Sequence, residues 1–436
     1  MIKTLLCGWL LGFAVLASAQ SNHYAASPPG RKPVLQPTSP ALGGFSTKRL
    51  SRLDENLNAW TQDPRLNGCV ALVARNGKII YHKAFGYNDL EKNEPLRIDH
   101  IFRIASQTKA ITSTGIMILY EEGKFLLDDP VSKYIPAFAK PTVIDQFNAA
   151  DTTFTSKPAK SEVTIRQLLT HTSGISYPQI GSPTANAIYA KAGLIAGLGA
   201  ELGRSLEKDV NTIAKLPLVH QPGEQWTYGF NTDILGRLIE VISGQSLDHF
   251  LRSRVFEPLG MKDTYFYLPV EKHRRLAQIY QEKDGKLIRP EATLSVNGET
   301  SIDYPLQANT YYSGGGGLSS TVLDYAIFLQ MILNGGEYNG QRILSRQTVR
   351  MMTMNQIGQL NLGVNKFGLG FMVTSEAGSA LLPTPEGVFE WGGAFATTYW
   401  ADPAEQLIGV YYQQLWGSTM NDNANKFKVL VYQALN

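Results

Sequence analysis

The chain has 436 residues, 43% hydrophobic and 18% charged, with a formal net charge of +3. That length supports one large domain or two smaller ones with a sizeable core, and scattered Lys and Arg give no basis for a nucleic-acid partner. Seven histidines without H-x-H or H-x-x-x-H spacing, and two cysteines, argue against a zinc centre. No metal is expected.

In chain order, Lys3 is followed by an apolar run over 5–16 and by Ala17-Ser18-Ala19 before Gln20. A short positive region, an apolar core and an A-x-A site predict a signal peptide, residues 1–19, cleaved after Ala19. The run is too short to span a bilayer, and almost no apolar stretch precedes Cys7 to make a lipidation site of it. The expected product is periplasmic or secreted, has no integral membrane segment after cleavage, and keeps Cys69 as its one cysteine, so no intrachain disulfide forms. Cys69 lies in the apolar run Gly68-Cys69-Val70-Ala71-Leu72-Val73 and reads as a small buried hydrophobe.

Residues 20–44 carry Pro28, Pro29, Pro33, Pro37 and Pro40 and read as a linker. Leu50, Leu53, Leu57 and Trp60 then recur as a helical stripe. Apolar runs at 70–73 and 78–85 flank Asn76-Gly77, a strong hairpin signal. A helix follows the hairpin, residues 139–162 read as a long polar loop, and 164–170 as a short helix. Helical patterns occupy 185–202, 206–213 and 234–242. Strands return from about 287, Gly314-Gly315-Gly316-Gly317 marks a bend, and a helix covers 320–334. β patterning resumes over 389–413, with a turn at Asp402-Pro403, before a closing helix over 423–435. Strands at both ends with helices between predict an α+β domain over 45–436, its antiparallel sheet built from both termini and flanked by helices. The α/β lobe spans about 45–115 and 287–436, and a mainly helical lobe of about 116–286 is inserted. The cleft between lobes is the expected place for a site.

Ser106-Gln107-Thr108-Lys109 reads S-x-x-K at the start of a helix. Residues three apart share a helix face, so the Lys109 amine reaches the Ser106 hydroxyl, a poor nucleophile until a neighbouring base takes its proton. The helix start also favours negative charge at Ser106. The motif alone occurs by chance in a chain this long, so other stretches must support it. Tyr228 sits just before the helical pattern near Asn231. A phenol ordinarily titrates near ~10, so a tyrosine serving as a base needs a cation close by. Glu390-Trp391-Gly392-Gly393-Ala394 places two glycines in a strand pattern, the mark of a bulge or of close backbone approach to a ligand, where the Ala394 N–H could join that of Ser106 in an oxyanion hole. His171 could be written into a Ser-His-Asp triad, but no G-x-S-x-G elbow surrounds Ser106.

S-x-x-K at 106–109, L-L-T-H-T-S-G at 168–174, P-G-E-x-W-x-Y at 222–228 and W-G-G-A at 391–394 occur in one order. Together they resemble the serine β-lactamase and penicillin-binding-protein superfamily, its class C-like branch with the family VIII carboxylesterases above all, over residues 46–436. The resemblance implies a two-lobe α/β serine hydrolase that needs no cofactor. It implies Ser106 as acylated nucleophile, Lys109 as neighbouring proton acceptor and Tyr228 as partner base or acid. The N–H groups of Ser106 and Ala394 would form the oxyanion hole, Trp391, Gly392 and Gly393 would line the substrate, and His171 would be structural. Two positions depart from the family pattern. Asn231 stands three residues after Tyr228 rather than two, which leaves open whether it fills the place of the asparagine in Y-x-N. Trp391 replaces the lysine of K-T-G, which helps bind a substrate carboxylate. The implied substrate is therefore an uncharged small or medium acyl ester. A β-lactamase or D-amino-acid peptidase or amidase, and a silent peptidoglycan-fragment binder, are the alternatives. Oligomeric state is not legible in the sequence.

Overall fold

The computed structural model describes residues 32–436 apart from 196, 199–202, 296–298 and 421. The expected signal peptide and residues 20–31 of the expected linker lie outside the described residues. Two strands, β1 (Gly68–Arg75) and β2 (Lys78–Asp89), form the predicted hairpin. Asn76 and Gly77 both have positive φ, 52° and 75°, the backbone that a tight two-residue hairpin turn requires. β1 pairs antiparallel with β5 (Leu407–Tyr412), β5 with β4 (Thr397–Asp402), and β4 with β3 (Phe389–Gly393). The sheet is thus assembled from both ends of the chain, and its short strands Met372–Val373 and Lys366–Phe367 complete the β3 edge. At the opposite edge Gln36–Pro37 lies parallel to β2, so the sheet is mixed rather than wholly antiparallel.

Side chains alternate across a strand, and β1 shows the consequence. Cys69, Ala71 and Val73 face helices α1 (Thr47–Trp60) and the closing Asp422–Tyr432, against Leu53, Leu57, Phe427 and Val431. Val70, Leu72 and Ala74 face the main core. With both faces covered, the strand reads as one apolar run. The main core is continuous from the sheet through α2 (Thr108–Glu121) into the helical lobe, where α3 (Asn231–Ser243) packs. All twelve residues from Thr108 to Leu119 are buried, as befits a helix with packing on every side. Cys69 is fully buried, and burial pushes its thiol up to about 12, which leaves it inert at neutral pH.

Several expectations are corrected. Residues 33–38 are not free linker: Asn334 Nδ2 donates to the Pro33 carbonyl at 2.9 Å, and the Thr38 N–H to that of Ile79 at 2.9 Å. These contacts run through the main chain, which leaves no side-chain pattern to read. The loop over 139–162 contains a hairpin, Thr142–Asn148 with Thr153–Pro158, whose second strand is exposed throughout. Its polar composition reflects that exposure. The helix expected over 185–202 is Pro183–Lys191, and Gly193 follows with φ 73°. Strands return at Tyr280–Lys283, which joins Leu415–Trp416 and Lys286–Ile288 in a small second sheet. No helix among the described residues is long and apolar enough to cross a membrane.

Candidate active site

Ser106 stands on a single 3-10 turn, Ala105–Gln107, that leads directly into α2. Ala105 adopts φ 42°, a conformation costly for a residue with a Cβ and found where surrounding packing enforces it. Tyr325 Oη, donating to the Gln107 carbonyl at 2.9 Å, and Tyr412 Oη, donating to Gln107 Oε1 at 2.6 Å, fix the turn from the core side. Ser106 itself is half-buried.

Two of the residues singled out in the sequence converge on its hydroxyl. The Tyr228 hydroxyl donates to Ser106 Oγ at 2.7 Å, and Lys109 Nζ donates to the same oxygen at 3.4 Å. The tyrosine bond has an ordinary length and the lysine contact is at the long limit of a hydrogen bond. Lys109 is only 3% exposed. Its main partner is the Gly315 carbonyl at 2.7 Å, and its ammonium lies 4.5 Å from the centre of the Tyr228 ring. With both side chains on Ser106 Oγ, whichever of the two is deprotonated can take the serine proton without water between them.

Sequence reasoning flagged 314–317 as a bend but not as a lysine partner, because a backbone carbonyl has no identity in sequence. Gly314 and Gly315 are needed there for close packing. A Cβ on Gly314 would meet the Thr232 carbonyl, and one on Gly315 would collide with the Asp233 carboxylate.

The W-G-G strand runs beside the nucleophile turn. A Cβ on Gly393 would collide with the carbonyl of Ile104, two residues before Ser106, and with the Thr397 hydroxyl. Gly393 therefore permits the approach of β3 to that turn. Ala394 follows, exposed, in the β3–β4 connection. Trp391 is half-buried, with ring centres 5.7 Å from Tyr228, 6.5 Å from Trp226 and 5.5 Å from Phe367. Behind it Glu390 forms a buried ion pair with Lys428 of the closing helix. The cation favoured by that carboxylate thus points away from the position of Trp391, into the sheet-facing core.

Asn231 and His171 belong to a different network. Asn231 is fully buried, accepts from Ser173 Oγ at 2.5 Å and sits 2.9 Å from His171 Nδ1. Through these two contacts it ties the H-T-S-G segment to α3. His171 is buried among Trp226, Tyr228 and Phe367. Burial, with the Lys109 ammonium adding to it, holds its imidazole well below the usual value of 6.5. Its partners leave it a structural residue, and Ser106 is hydrogen-bonded by Tyr228 and Lys109 instead. No cluster of His, Cys, Asp or Glu suited to a metal occurs among the described residues.

A β-lactamase family model matches residues 52–433, and the chain belongs to that family. Protein Rv1367c of Mycobacterium tuberculosis is 34% identical over 362 residues, covering 80% of this chain and 86% of its own length. Esterase EstB of Burkholderia gladioli is 29% identical, covering 85% and 91%. Among solved structures, EstCE1, described as a hydrolase with promiscuous acyltransferase activity, superposes with a TM-score of 0.75 at 26% identity over 88% of this chain and 99% of its own. The class is a serine hydrolase with the two-lobe fold of these relatives.

Proposed function

We propose that this protein is an exported carboxylesterase that works through an acyl-enzyme on Ser106, with small or medium uncharged acyl esters as substrates. The observation that carries the reading is the pair of contacts on Ser106 Oγ, from Tyr228 at 2.7 Å and Lys109 at 3.4 Å. In the reactive form the Lys109–Tyr228 pair holds one proton fewer, as amine with phenol or ammonium with phenolate, and Ser106 attacks the acyl carbon as its own proton passes to that pair. The cation beside Oγ offsets the charge that develops there, and the N–H groups of Ser106 and Ala394 receive the carbonyl oxygen. The tetrahedral intermediate collapses with return of that proton, through Tyr228, to the departing alkoxide. Water then attacks the acyl carbon as the same pair takes its proton, and the pair returns that proton to Ser106 Oγ as the acyl–Oγ bond breaks and the acid leaves. An alcohol in place of water would yield a new ester, as the description of EstCE1 suggests for that protein.

The substrate class rests on Trp391. Where a lysine could give a substrate carboxylate a charge-assisted hydrogen bond of roughly 1.5–3 kcal/mol, the indole offers an apolar face and one N–H. Gly392 adds no side chain beside it, and Gly393 holds the strand against the nucleophile turn, so the substrate would lie along the backbone here.

A fluorophosphonate probe is expected to label Ser106, and Ser106→Ala to abolish both labelling and turnover of p-nitrophenyl butyrate. Labelling that persists in the variant would sink the assignment. Nitrocefin measured alongside tests the substrate class: a tenfold preference for nitrocefin over the ester would replace the esterase reading with a β-lactamase one. Export is tested by the intact mass of the secreted or periplasmic product, expected to begin at Gln20.

A further inference from the structure

Asp233 lies in the first turn of α3 and is 1% exposed. One carboxylate oxygen, Oδ1, accepts from Ser313 Oγ at 2.6 Å and from the Gly315 N–H at 3.1 Å. The other, Oδ2, has no hydrogen-bond partner. The chain gains little stability from such an arrangement, since a buried acceptor left unpaired is costly. Unsatisfied buried groups in native structures call for an explanation, function among them. Here the explanation lies one peptide away. The residue whose N–H Asp233 holds is the residue whose carbonyl holds Lys109 Nζ at 2.7 Å.

We infer that Asp233 is a positioning residue for acylation: by gripping Ser313 and the Gly315 N–H with one oxygen, it sets the glycine bend so that the Gly315 carbonyl keeps the Lys109 amine against Ser106. The inference rests on the reading of Ser106 and Lys109 given above and extends it to a residue outside the motifs. Four consecutive glycines have no side chains to fix their backbone. The bend therefore needs outside anchors, and Asp233 supplies two from a rigid helix. Ser313 extends the grip, since its hydroxyl also accepts the Gly316 N–H at 3.1 Å. Burial pushes the Asp233 carboxyl above the ordinary range, while the Lys109 ammonium, Ser313 and the Gly315 N–H pull it back.

The test compares Asp233→Ala with Asp233→Asn. Asparagine keeps an acceptor at Oδ1 and alanine removes it. Asp233→Ala is expected to lower kcat on p-nitrophenyl butyrate by about 10²-fold, the scale of a misplacement near 1 Å, with KM within about twofold. Asp233→Asn is expected to recover kcat to within about threefold of the parent. A folded Asp233→Ala protein with parental kcat overturns the inference, and so does an Asn variant as deficient as the Ala one. Should Asp233→Ala fail to fold, Ser313→Ala carries the test: a fall in kcat of about threefold or more at constant KM supports the inference, and no change overturns it. Fluorophosphonate labelling separates the two levels. A parent protein unlabelled at Ser106 defeats the underlying reading, whereas equal labelling rates in parent and Asp233→Ala defeat only this inference.

Discussion

On the helical side of Ser106, Lys109 is held by the Gly315 carbonyl at 2.7 Å, and the N–H of the same glycine is held by Asp233 at 3.1 Å. On the sheet side, Trp391 is half-buried and touched by three aromatic rings with centres 5.5–6.5 Å away. The first wall is built from directional bonds in a dry interior, where a lost partner leaves a buried group unsatisfied. The second is built from ring packing, where geometry is softer and a face stays open to whatever enters the cleft. The difference teaches where chemistry and selectivity reside. A change in the polar wall should lower turnover for every substrate, and a change in the aromatic wall should reorder substrates.

The largest break in that comparison comes from Lys109→Ala. A positioned acid or base contributes roughly 10²–10⁴-fold, so kcat/KM on short-chain p-nitrophenyl esters should fall by at least ~10²-fold. The fall should be the same within a few fold for acetyl and butyryl esters, measured side by side. A selective loss, large for one acyl chain and small for another, would place Lys109 among the selectivity residues and collapse the distinction between the walls.

The two walls were also unequally legible in the sequence. Ser106 and Lys109 are three residues apart, so local helix geometry joins them, and W-G-G announces a strand that approaches something closely. The contact from Tyr228 crosses 122 positions and was reached through the resemblance of four motifs in one order. Asp233 and the Gly315 carbonyl left no trace, because one is an acid in a helical stretch and the other a backbone atom. The fold followed the same rule. The β1–β2 hairpin came from Asn76-Gly77 between two apolar runs and the stripe of Leu50, Leu53 and Leu57 from helical periodicity, and the structure has both. The hairpin over 142–158 and the edge strand Gln36–Pro37 are exposed or paired through main chain, so no apolar pattern marks them.

A smaller effect sharpens the sheet-side half. Trp391→Lys replaces an apolar face by a cation, and nearby rings leave the ammonium free to reach the cleft rather than pair with Glu390, which Lys428 already occupies. If the new charge gives a carboxylate-bearing lactam a hydrogen bond of about 1.5 kcal/mol or more, the ratio of kcat/KM for nitrocefin over the butyrate ester should rise by about tenfold. Ester turnover should fall at the same time. A uniform loss on both substrates would show that Trp391 supports Tyr228 rather than choosing the substrate.

The smallest expected effect lies between the walls, at His171, and it is read in stability rather than rate. The imidazole is 2% exposed and its folded-state affinity for protons is depressed by burial and by the Lys109 ammonium. Below ~6.5 the unfolded chain takes up a proton that the folded protein refuses. The site's contribution to stability is therefore complete above that pH and is lost as pH falls. From pH 6.5 to 5.5 the loss from this one group amounts to about 1 kcal/mol. His82, His100 and His220 are lowered in the same direction, while Asp324, raised to about 6, acts in the opposite sense over the acidic window. All four remain in a variant and cancel in the comparison. His171→Asn suits the test because residue 171 has φ 57°, a region asparagine tolerates, and its amide does not titrate. Its melting temperature should be lower throughout, since three ring contacts are lost. The drop between pH 6.5 and 5.5 should nonetheless be smaller than in the parent by about 1–2 °C, the shift that 1 kcal/mol gives in a protein larger than ~250 residues. A parallel pair of curves in a thermal-shift titration would mean that His171 takes up its proton in the folded protein, and that the aromatic packing around it admits a charge.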